Sequence, residues 1–535
     1  MTKTTSHITR RAALGGAAAL GGTAAMLAAP RVARAQSQRV LKFVPHADLT
    51  VLDPVFNTTA VTNNHAAMIF DSLYGLDANF QAHPQMVEGH IIEKDGLLWN
   101  MKLRDGLRFH DGSPVLARDA LASVRRWGVR DVYGQEVLAR SDEISAPDDR
   151  TIQFRLKRPF PNLPVALGKS SSPICPIMPE RLANTDPTKA ITEMVGSGPF
   201  RFLADERMSG ARVAYARFDG YVPRPNGTPS RSAGPKVAHF DRVEWIVIPD
   251  QATAAAALMV GEVDWVDITN NDLAPLLKRN RSVAVRYHQD TQAAVMRFNW
   301  LQPPFDNPAV RRALLGAVRQ EDYMVAAYGT DPAAWEVGVG FFNSASPMAS
   351  KEGLEALTSA RDLAKVRRAL TDVGYKGEKV VILQADDFPS LKGLAEVAAD
   401  ALKQVGMNVQ VQAGDWGTIS SRRANRGSLD QGGWSVFVTG VDVTISPGEH
   451  RGLRANGAGA WFGWPDSPEL EAMRQKWLDT DGIEAQKAIC AEMQRQAFQD
   501  IPYIPLGEYH TLTAYRADLT GFPPGAALFY GVRKA

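Results

Sequence analysis

The sequence predicts a multidomain α/β protein. Its 535 residues are 45% hydrophobic and 22% charged, an ordinary globular composition in a chain too long for one hydrophobic core. Residues 379–384, 391–405 and 407–412 have the periodicities of a strand, an amphipathic helix and a second strand, which together form a βαβ crossover. A strand–turn–helix unit at residues 296–314 adds a second organised region, so about two or three domains are expected.

The unit at residues 296–314 is the clearest local pattern. Residues 296–300 alternate apolar and polar side chains, as in a short strand. The run Pro303-Pro304-Phe305-Asp306-Asn307 then breaks the strand and forms a turn. Pro308 favours the start of a helix, with Asp306 or Asn307 as its cap.

The other elements follow in order along the chain. Before residue 296, the patterns predict strands at residues 40–44, 99–103 and 151–156 and helices at 62–73 and 119–127. After residue 412, they predict a strand at 429–438, helices at 469–479 and 483–500, and a proline-rich apolar strand at 501–506.

The first 35 residues have the features of an export signal. Arg10-Arg11 precedes an uncharged run over residues 12–29, and Ala33-Arg34-Ala35 offers a cleavage site. The run is short and glycine-rich, which makes it a poor membrane span. We expect a cleaved twin-arginine signal, a mature chain from Gln36 and a protein free in the periplasm. No cysteine follows the cut, so no lipid anchor is expected.

The charge balance gives no sign of a nucleic-acid partner. The signal holds five basic residues and no acid, so its removal changes the formal net charge from +2 to −3. The mature chain has no basic cluster with interleaved aromatic residues.

Cys175 and Cys490 are the two cysteines of the chain. Two cysteines in a periplasmic protein could form a disulfide. The alternative, which we favour, is a pair of buried free thiols.

Motifs for catalysis are weak. Gly168-Lys169-Ser170 lacks the first glycine of a phosphate loop, and Gly196-Ser197-Gly198 is followed by Pro199, which prevents a dinucleotide-binding helix. No nucleophile elbow, zinc-binding histidine pair or metal-ligand spacing occurs. We therefore expect no cofactor, no metal and no enzyme. A hydrolase remains an alternative, since catalytic triads can assemble from distant residues.

A binding role has better support. Eleven tryptophans occur, and Trp416, Trp434, Trp461 and Trp464 fall at strand ends and loops of the second half. A cleft that binds varied ligands needs aromatic walls and a few polar groups. A buried amine also needs a carboxylate partner.

Several motifs together resemble one family. They are Asp53-Pro54, Tyr74-Gly75-Leu76, the run Leu103-Arg104-Asp105-Gly106-Leu107-Arg108-Phe109-His110-Asp111-Gly112, Gly196-Ser197-Gly198-Pro199-Phe200, and Gly261-Glu262-Val263-Asp264. With the unit at 296–314, they are similar to those of the extracellular solute-binding proteins of the dipeptide- and oligopeptide-binding family, the periplasmic components of ABC-type peptide importers.

The resemblance implies a periplasmic binding protein-like α/β fold of two lobes joined by two hinge crossovers, with an extra subdomain in the N-terminal lobe. Lobe I would span residues 36–295, lobe II residues 296–499, and residues 500–535 would return to lobe I. The crossovers would lie near residues 289–297 and 498–506. Such a protein, a monomer, would close on a peptide and deliver it to a membrane permease.

The resemblance also implies ligand-binding residues. The family's amine-binding carboxylate would correspond to Asp442, the acid between the strand at 433–438 and Pro447; the alternative is a turn-capping aspartate. Trp416 would line the cleft or lie in the core. Trp434 and Tyr74 would likewise either line the cleft or lie in the core, and the core is favoured for Trp434. Thr439 is a candidate hydrogen-bond donor to the ligand. Relatives bind nickel chelates, haem, sugars or other small solutes, so these ligand classes stay open.

Overall fold

The computed structural model describes residues 39–269, 271–441, 446–525 and 528–535, with the side chains of residues 289 and 290 left out. The expected signal over residues 1–35 and the candidate Asp442 therefore lie outside the described residues.

The strands are short except for two. They are β1 Val40–Val44, β2 Tyr74–Leu76, β3 Ala82–Pro84, β4 Val87–Glu93, β5 Leu98–Leu103, β6 Ser141–Ser145, β7 Thr151–Leu156, β8 Phe200–Phe202, β9 Arg212–Arg217, β10 Arg242–Ile246, β11 Trp265–Thr269, β12 Val283–Phe298, β13 Trp335–Glu336, β14 Lys379–Ala385, β15 Asn408–Gly414, β16 Val436–Val441, β17 Tyr503–Arg516, β18 Leu519–Thr520 and β19 Arg533–Lys534.

The α-helices lie between these strands. They are α1 Ala60–Ile69, α2 Ala117–Arg130, α3 Val132–Arg140, α4 Leu163–Gly168, α5 Glu180–Ala183, α6 Gln251–Val260, α7 Ala274–Arg279, α8 Pro308–Ala313, α9 Gln320–Tyr328, α10 Glu355–Thr358, α11 Leu363–Asp372, α12 Pro389–Gln404, α13 Trp416–Arg422, α14 Pro468–Asp479 and α15 Ile483–Asp500.

One large mixed sheet organises the fold. Its strand order is β15-β14-β16-β12-β17-β11-β1-β10-β9-β8, and β13 pairs with β17 beside this path. Strands β14 and β15 are parallel neighbours separated in sequence by α12, which is the βαβ unit that the periodicity predicts. The α/β class and the βαβ unit are confirmed.

The two long strands cross between the lobes. Strands β12 and β17 are antiparallel along nearly their whole length, with register shifts between Tyr287 and Thr291 and between Ala294 and Val295 of β12. At one end β17 pairs with β11, and at the other end β12 pairs with β16. The chain therefore passes twice between a lobe built on β1 and β8–β11 and a lobe built on β14–β16. The second crossing begins at Tyr503, later than expected, because residues 498–500 still belong to α15.

A separate four-stranded sheet of order β4-β5-β7-β6 lies in the N-terminal lobe. Helix α2 packs on β6 and β7, and α3 packs on α2, α4 and β6. This unit corresponds to the extra subdomain that the family resemblance implies. The residue numbers at which one lobe ends and the next begins stay predictions.

Local chemistry explains where the predicted elements hold and where they shift. The Asn307 side chain caps α8 by accepting a hydrogen bond from the Ala309 N–H at 2.9 Å, so Asn307 is the cap. The strand expected at residues 429–438 begins only at Val436. Residues 429–431 instead form a 3₁₀ turn, which ends at Gly432 with a φ of 81°.

Cys175 and Cys490 are buried free thiols, as favoured from the sequence.

In the described part of the chain, no helix is both long enough and apolar enough to cross a bilayer.

Candidate functional site

A cavity of about 790 Å³ lies where the two lobes meet. The N-terminal lobe contributes residues from segments 76–99 and 133–169, and the other lobe contributes Pro347, Met348 and residues from segments 446–449 and 477–486. The volume falls within the range of small-molecule sites.

The walls of the cavity are mainly apolar and aromatic. Trp99, Tyr133, Phe160 and Trp477 supply aromatic surface, and prolines fill the gaps between them at Pro159, Pro161, Pro164 and Pro347. Rigid apolar surface of this kind contacts a ligand's side chains at low entropic cost.

Three buried polar atoms in the lining residues lack a partner. The Tyr133 hydroxyl, the Ser446 hydroxyl and the Trp477 indole Nε1–H have no hydrogen-bond partner among the described residues. All three residues are at most 5% exposed. Since an unsatisfied buried polar group costs about 1–3 kcal/mol, such groups normally meet a ligand or water. Tyr133 belongs to one lobe, and Ser446 and Trp477 belong to the other.

Most of the ionisable side chains that line the cavity are carboxylates. Glu449 accepts a hydrogen bond from the Ser171 hydroxyl of the N-terminal lobe at 2.5 Å. Lys169 is the single lysine of the lining, and its ammonium is already bound to buried Asp131. Asp131 also caps α3, accepting from the Tyr133 and Gly134 N–H groups at 2.9 Å each.

The Tyr133 hydroxyl is held in its protonated form. Burial raises the pKa of Tyr133 well above its usual value, and the charge of Glu449 acts in the same direction. The group therefore offers a neutral O–H donor beside a carboxylate.

Direct contacts close the lobes against each other beside the cavity. Arg474 of α14 donates to Glu136 of α3 at 2.8 Å, and Asn162 donates to the Leu478 carbonyl at 3.3 Å. Arg140 of α3 forms an ion pair with Asp479 of α14. The described conformation is thus one in which both lobes contact the cavity together.

Trp416 and Trp434 lie in an aromatic cluster of the second lobe, joined through Arg423. The Arg423 guanidinium lies 4.8 Å from the Trp416 ring centre, and the Trp434 indole donates to the Arg423 carbonyl at 3.2 Å. Trp416 is half-buried, whereas Trp434 is fully buried against Phe437. Burial and, to a smaller extent, the nearby charge of Arg451 lower the pKa of Arg423 to about 10.

Tyr74 and Thr439 lie apart from this cluster and do not line the cavity. Tyr74 is 1% exposed, and its hydroxyl bonds to His90 Nδ1 at 2.8 Å, while Leu76 and His90 themselves line the cavity. Thr439 is buried in β16, and its hydroxyl donates to the Gly440 carbonyl at 3.3 Å.

Sequence reasoning missed Tyr133, Ser446, Glu449 and Trp477. Ser446 and Glu449 flank Pro447, just after the candidate Asp442, so the turn sequence Ser-Pro-Gly-Glu was an available signal. Trp477 lies on an amphipathic helix, and this pattern predicts that a tryptophan packs in the hydrophobic core. No group of three or more histidine, cysteine, aspartate or glutamate side chains within the described ranges could hold a metal ion.

Residues 81–450 match the family described as bacterial extracellular solute-binding proteins, family 5. The chain is 36% identical to a probable peptide ABC transporter periplasmic-binding protein of Sinorhizobium fredii, over 96% of this chain and 97% of that protein. It is 25% identical to a glutathione-binding protein of Pectobacterium atrosepticum, over 94% of both chains.

Solved structures share the fold. A dipeptide-binding protein from Pseudoalteromonas in complex with Met-Leu superposes with a TM-score of 0.76 at 19% identity, covering 93% of this chain and 100% of that one. The periplasmic binding protein DppA of Helicobacter pylori, in complex with the peptide STSA, has a TM-score of 0.76 at 21% identity, covering 93% and 98%. The family match and the 36% identity establish that the chain belongs to the family 5 bacterial extracellular solute-binding proteins.

Proposed function

We propose that this protein is the periplasmic substrate-binding component of an ABC importer and that it captures short peptides in the cavity between its lobes. The observation that carries the proposal is the set of unpartnered polar atoms of Tyr133, Ser446 and Trp477, which come from both lobes and line one cavity. A peptide main chain offers donors and acceptors that such groups need.

The ligand's amine would lie near carboxylates. Glu449 lines the cavity. We propose that the principal anchor of the ligand's amine is Asp442, which precedes Ser446 in the sequence. Trp416 is not among the lining residues of the described conformation, and we propose it as a further aromatic contact of the ligand in the second lobe. Tyr74, Trp434 and Thr439 would support the site from behind its surface, since each is at most 4% exposed.

Capture would work by hinge closure. Strands β12 and β17 connect the lobes, and the register shift between Tyr287 and Thr291 interrupts their pairing where a bend is easiest to absorb. Ligand would stabilise the closed state, because only that state contacts it from both lobes. The closed monomer would then dock on a membrane permease, with no chemistry done on the ligand. Export would use the twin-arginine signal, with cleavage before Gln36.

A thermal-shift screen tests the ligand class. Peptides of two to five residues, glutathione, nickel chelates, haem and sugars are compared as ligands. A ligand at about 100 times its Kd should add about 2.7 kcal/mol to the free energy of unfolding, or about 2–3 °C in a chain of this length. A shift with peptides supports the proposal. A shift with nickel, haem or sugars alone would replace peptides with that class.

Tyr133→Phe is expected to weaken peptide binding about three- to tenfold, because one hydrogen bond to the ligand is lost. The unfolding midpoint of the ligand-free protein should not fall, since the hydroxyl has no partner in the described residues. Calorimetric titration measures the change. Tyr215→Phe is the matched control: its hydroxyl bonds to His65 Nδ1 at 2.7 Å, away from the cavity lining, so stability should fall while affinity stays. Unchanged affinity in Tyr133→Phe would contradict the assignment.

A further inference from the structure

Arg474 of α14 donates hydrogen bonds to three groups that belong to two different parts of the molecule. Its Nε donates to the Pro447 carbonyl at 3.1 Å, and its Nη2 donates to the Gly448 carbonyl at 3.3 Å. Its Nη1 donates to Glu136 of α3, in the opposite lobe, at 2.8 Å. One guanidinium therefore holds both the segment at 446–449 and the facing lobe.

The contacts of Arg474 are buried and specific. Its side chain is 2% exposed and that of Glu136 is 10% exposed, so solvent and salt screen the pair weakly. The planar fork of arginine suits three acceptors at once, which a lysine cannot reproduce. Burial raises the pKa of Glu136, but the nearby charges of Arg474 and Arg140 outweigh it and lower the pKa, so the carboxylate stays ionised.

The carbonyls that Arg474 binds lie between two cavity-lining residues. Ser446 precedes Pro447, and Glu449 follows Gly448. When the lobes separate, α3 moves away from α14 and Arg474 loses Glu136, whereas its bonds to the Pro447 and Gly448 carbonyls lie within one lobe and can persist.

We propose that Arg474 is a positioning residue that couples the ligand-contacting segment at 446–449 to lobe closure, and that its bond to Glu136 sets the rate at which ligand leaves. The inference rests on the proposed function, since it assumes that the cavity is the ligand site. It assigns Glu136 and Arg474 a role in retention without any contact to ligand.

Glu136→Gln tests the bond of Arg474 to the opposite lobe separately from its bonds to the segment at 446–449. It removes the negative charge that Arg474 binds in the opposite lobe and leaves the carbonyl contacts of Arg474 in place. With the tripeptide Ala-Phe-Ala as probe, stopped-flow tryptophan fluorescence should show dissociation at least tenfold faster and association within twofold of the original protein. Small-angle scattering at saturating probe should show a larger radius of gyration than in the original protein.

Two further variants make the experiment specific. Arg474→Lys keeps the charge and should recover part of the retention that Arg474→Gln loses, because an ammonium can still reach Glu136. Arg158→Gln is the control: Arg158 also binds Gln475 and Asp479 of α14, but it is 48% exposed, so release should change less than twofold.

The outcomes are distinct. If Ala-Phe-Ala binds and Glu136→Gln releases it at the original rate, the coupling is refuted while the function stands. If no peptide binds, the proposed function fails, and ligand-free scattering decides the coupling. If ligand-free Glu136→Gln scatters as a more expanded particle than the original protein, the role of the Arg474–Glu136 bond in lobe closure is supported. Identical scattering profiles refute that role.

Discussion

Asp53→Ala is expected to lower the free energy of unfolding by about 4 kcal/mol, because it leaves the buried charge of Arg126 without its partner. The two carboxylate oxygens of Asp53 accept from the Arg126 Nη1 and Nη2 groups at 3.2 and 2.7 Å. The side chains of Arg126 and Asp53 are 1% and 0% exposed. The same carboxylate accepts from the Val55 and Ile191 N–H groups at 2.9 Å each, so one side chain joins three segments of lobe I.

Urea unfolding of Asp53→Ala measures this loss. Asp142→Ala is the control, since Asp142 pairs with Arg155 at 2.8 Å with both side chains about half exposed, and its loss should cost less than about 1 kcal/mol. Adding Arg126→Met to Asp53→Ala should recover part of the stability by removing the unpaired charge. Equal losses in Asp53→Ala and Asp142→Ala would contradict the importance of this buried pair.

Arg297→Ala should also destabilise the protein by about 4 kcal/mol, through lost hydrogen bonds and an unfilled space. Arg297 lies on β12 with no exposed surface and donates to the carbonyls of Phe462, Gly452 and Trp461 at 2.7, 2.6 and 3.3 Å. Its guanidinium also lies 5.0 Å from the Trp461 ring centre. Burial lowers its pKa to about 9, so carbonyl dipoles and an aromatic face have to stabilise the charge.

Comparison of Arg297→Ala with Arg297→Met, again by urea unfolding, separates packing from hydrogen bonding. Methionine fills most of the space but leaves three carbonyls without their donor, so a loss of about 3 kcal/mol is expected. Arg426→Ala is the control: Arg426 is exposed and stacks on Trp464 at 4.8 Å, and its removal should cost less than about 1 kcal/mol. A loss below about 1 kcal/mol in Arg297→Ala would show that the buried guanidinium is dispensable.

Strands with a regular hydrophobic pattern were predictable from the sequence. Strands that pair with different neighbours along their length were predicted only in part. Residues 379–384 alternate or run apolar and form β14 as predicted. In contrast, the periodicity predicted only residues 296–298 of β12, and the family resemblance placed a crossover near residues 289–297. The pairing of β12 with β17 shifts register between Tyr287 and Thr291, so no regular pattern marks the first part of the strand. The strand predicted at residues 501–506 covers only the first part of β17, which continues to Arg516.

The candidate site was less predictable than the fold. Its lining brings Tyr133 together with Trp477, which are far apart in sequence. Local patterns report which face of a helix is apolar, but they do not report that two such faces enclose a cavity. Trp434 shows the same limit: an apolar strand predicts burial correctly and says nothing about proximity to Arg423.

The position of β17 in the large sheet has a consequence for biosynthesis. This strand lies between β12 and β11, yet it comes from residues 503–516, which are synthesised well after both of its neighbours. Until those residues leave the ribosome, β11 and β12 each expose an unpaired edge, and such edges favour aggregation. Neither lobe can complete its sheet before β17 is made, so folding of the large sheet has to wait for residues 503–516.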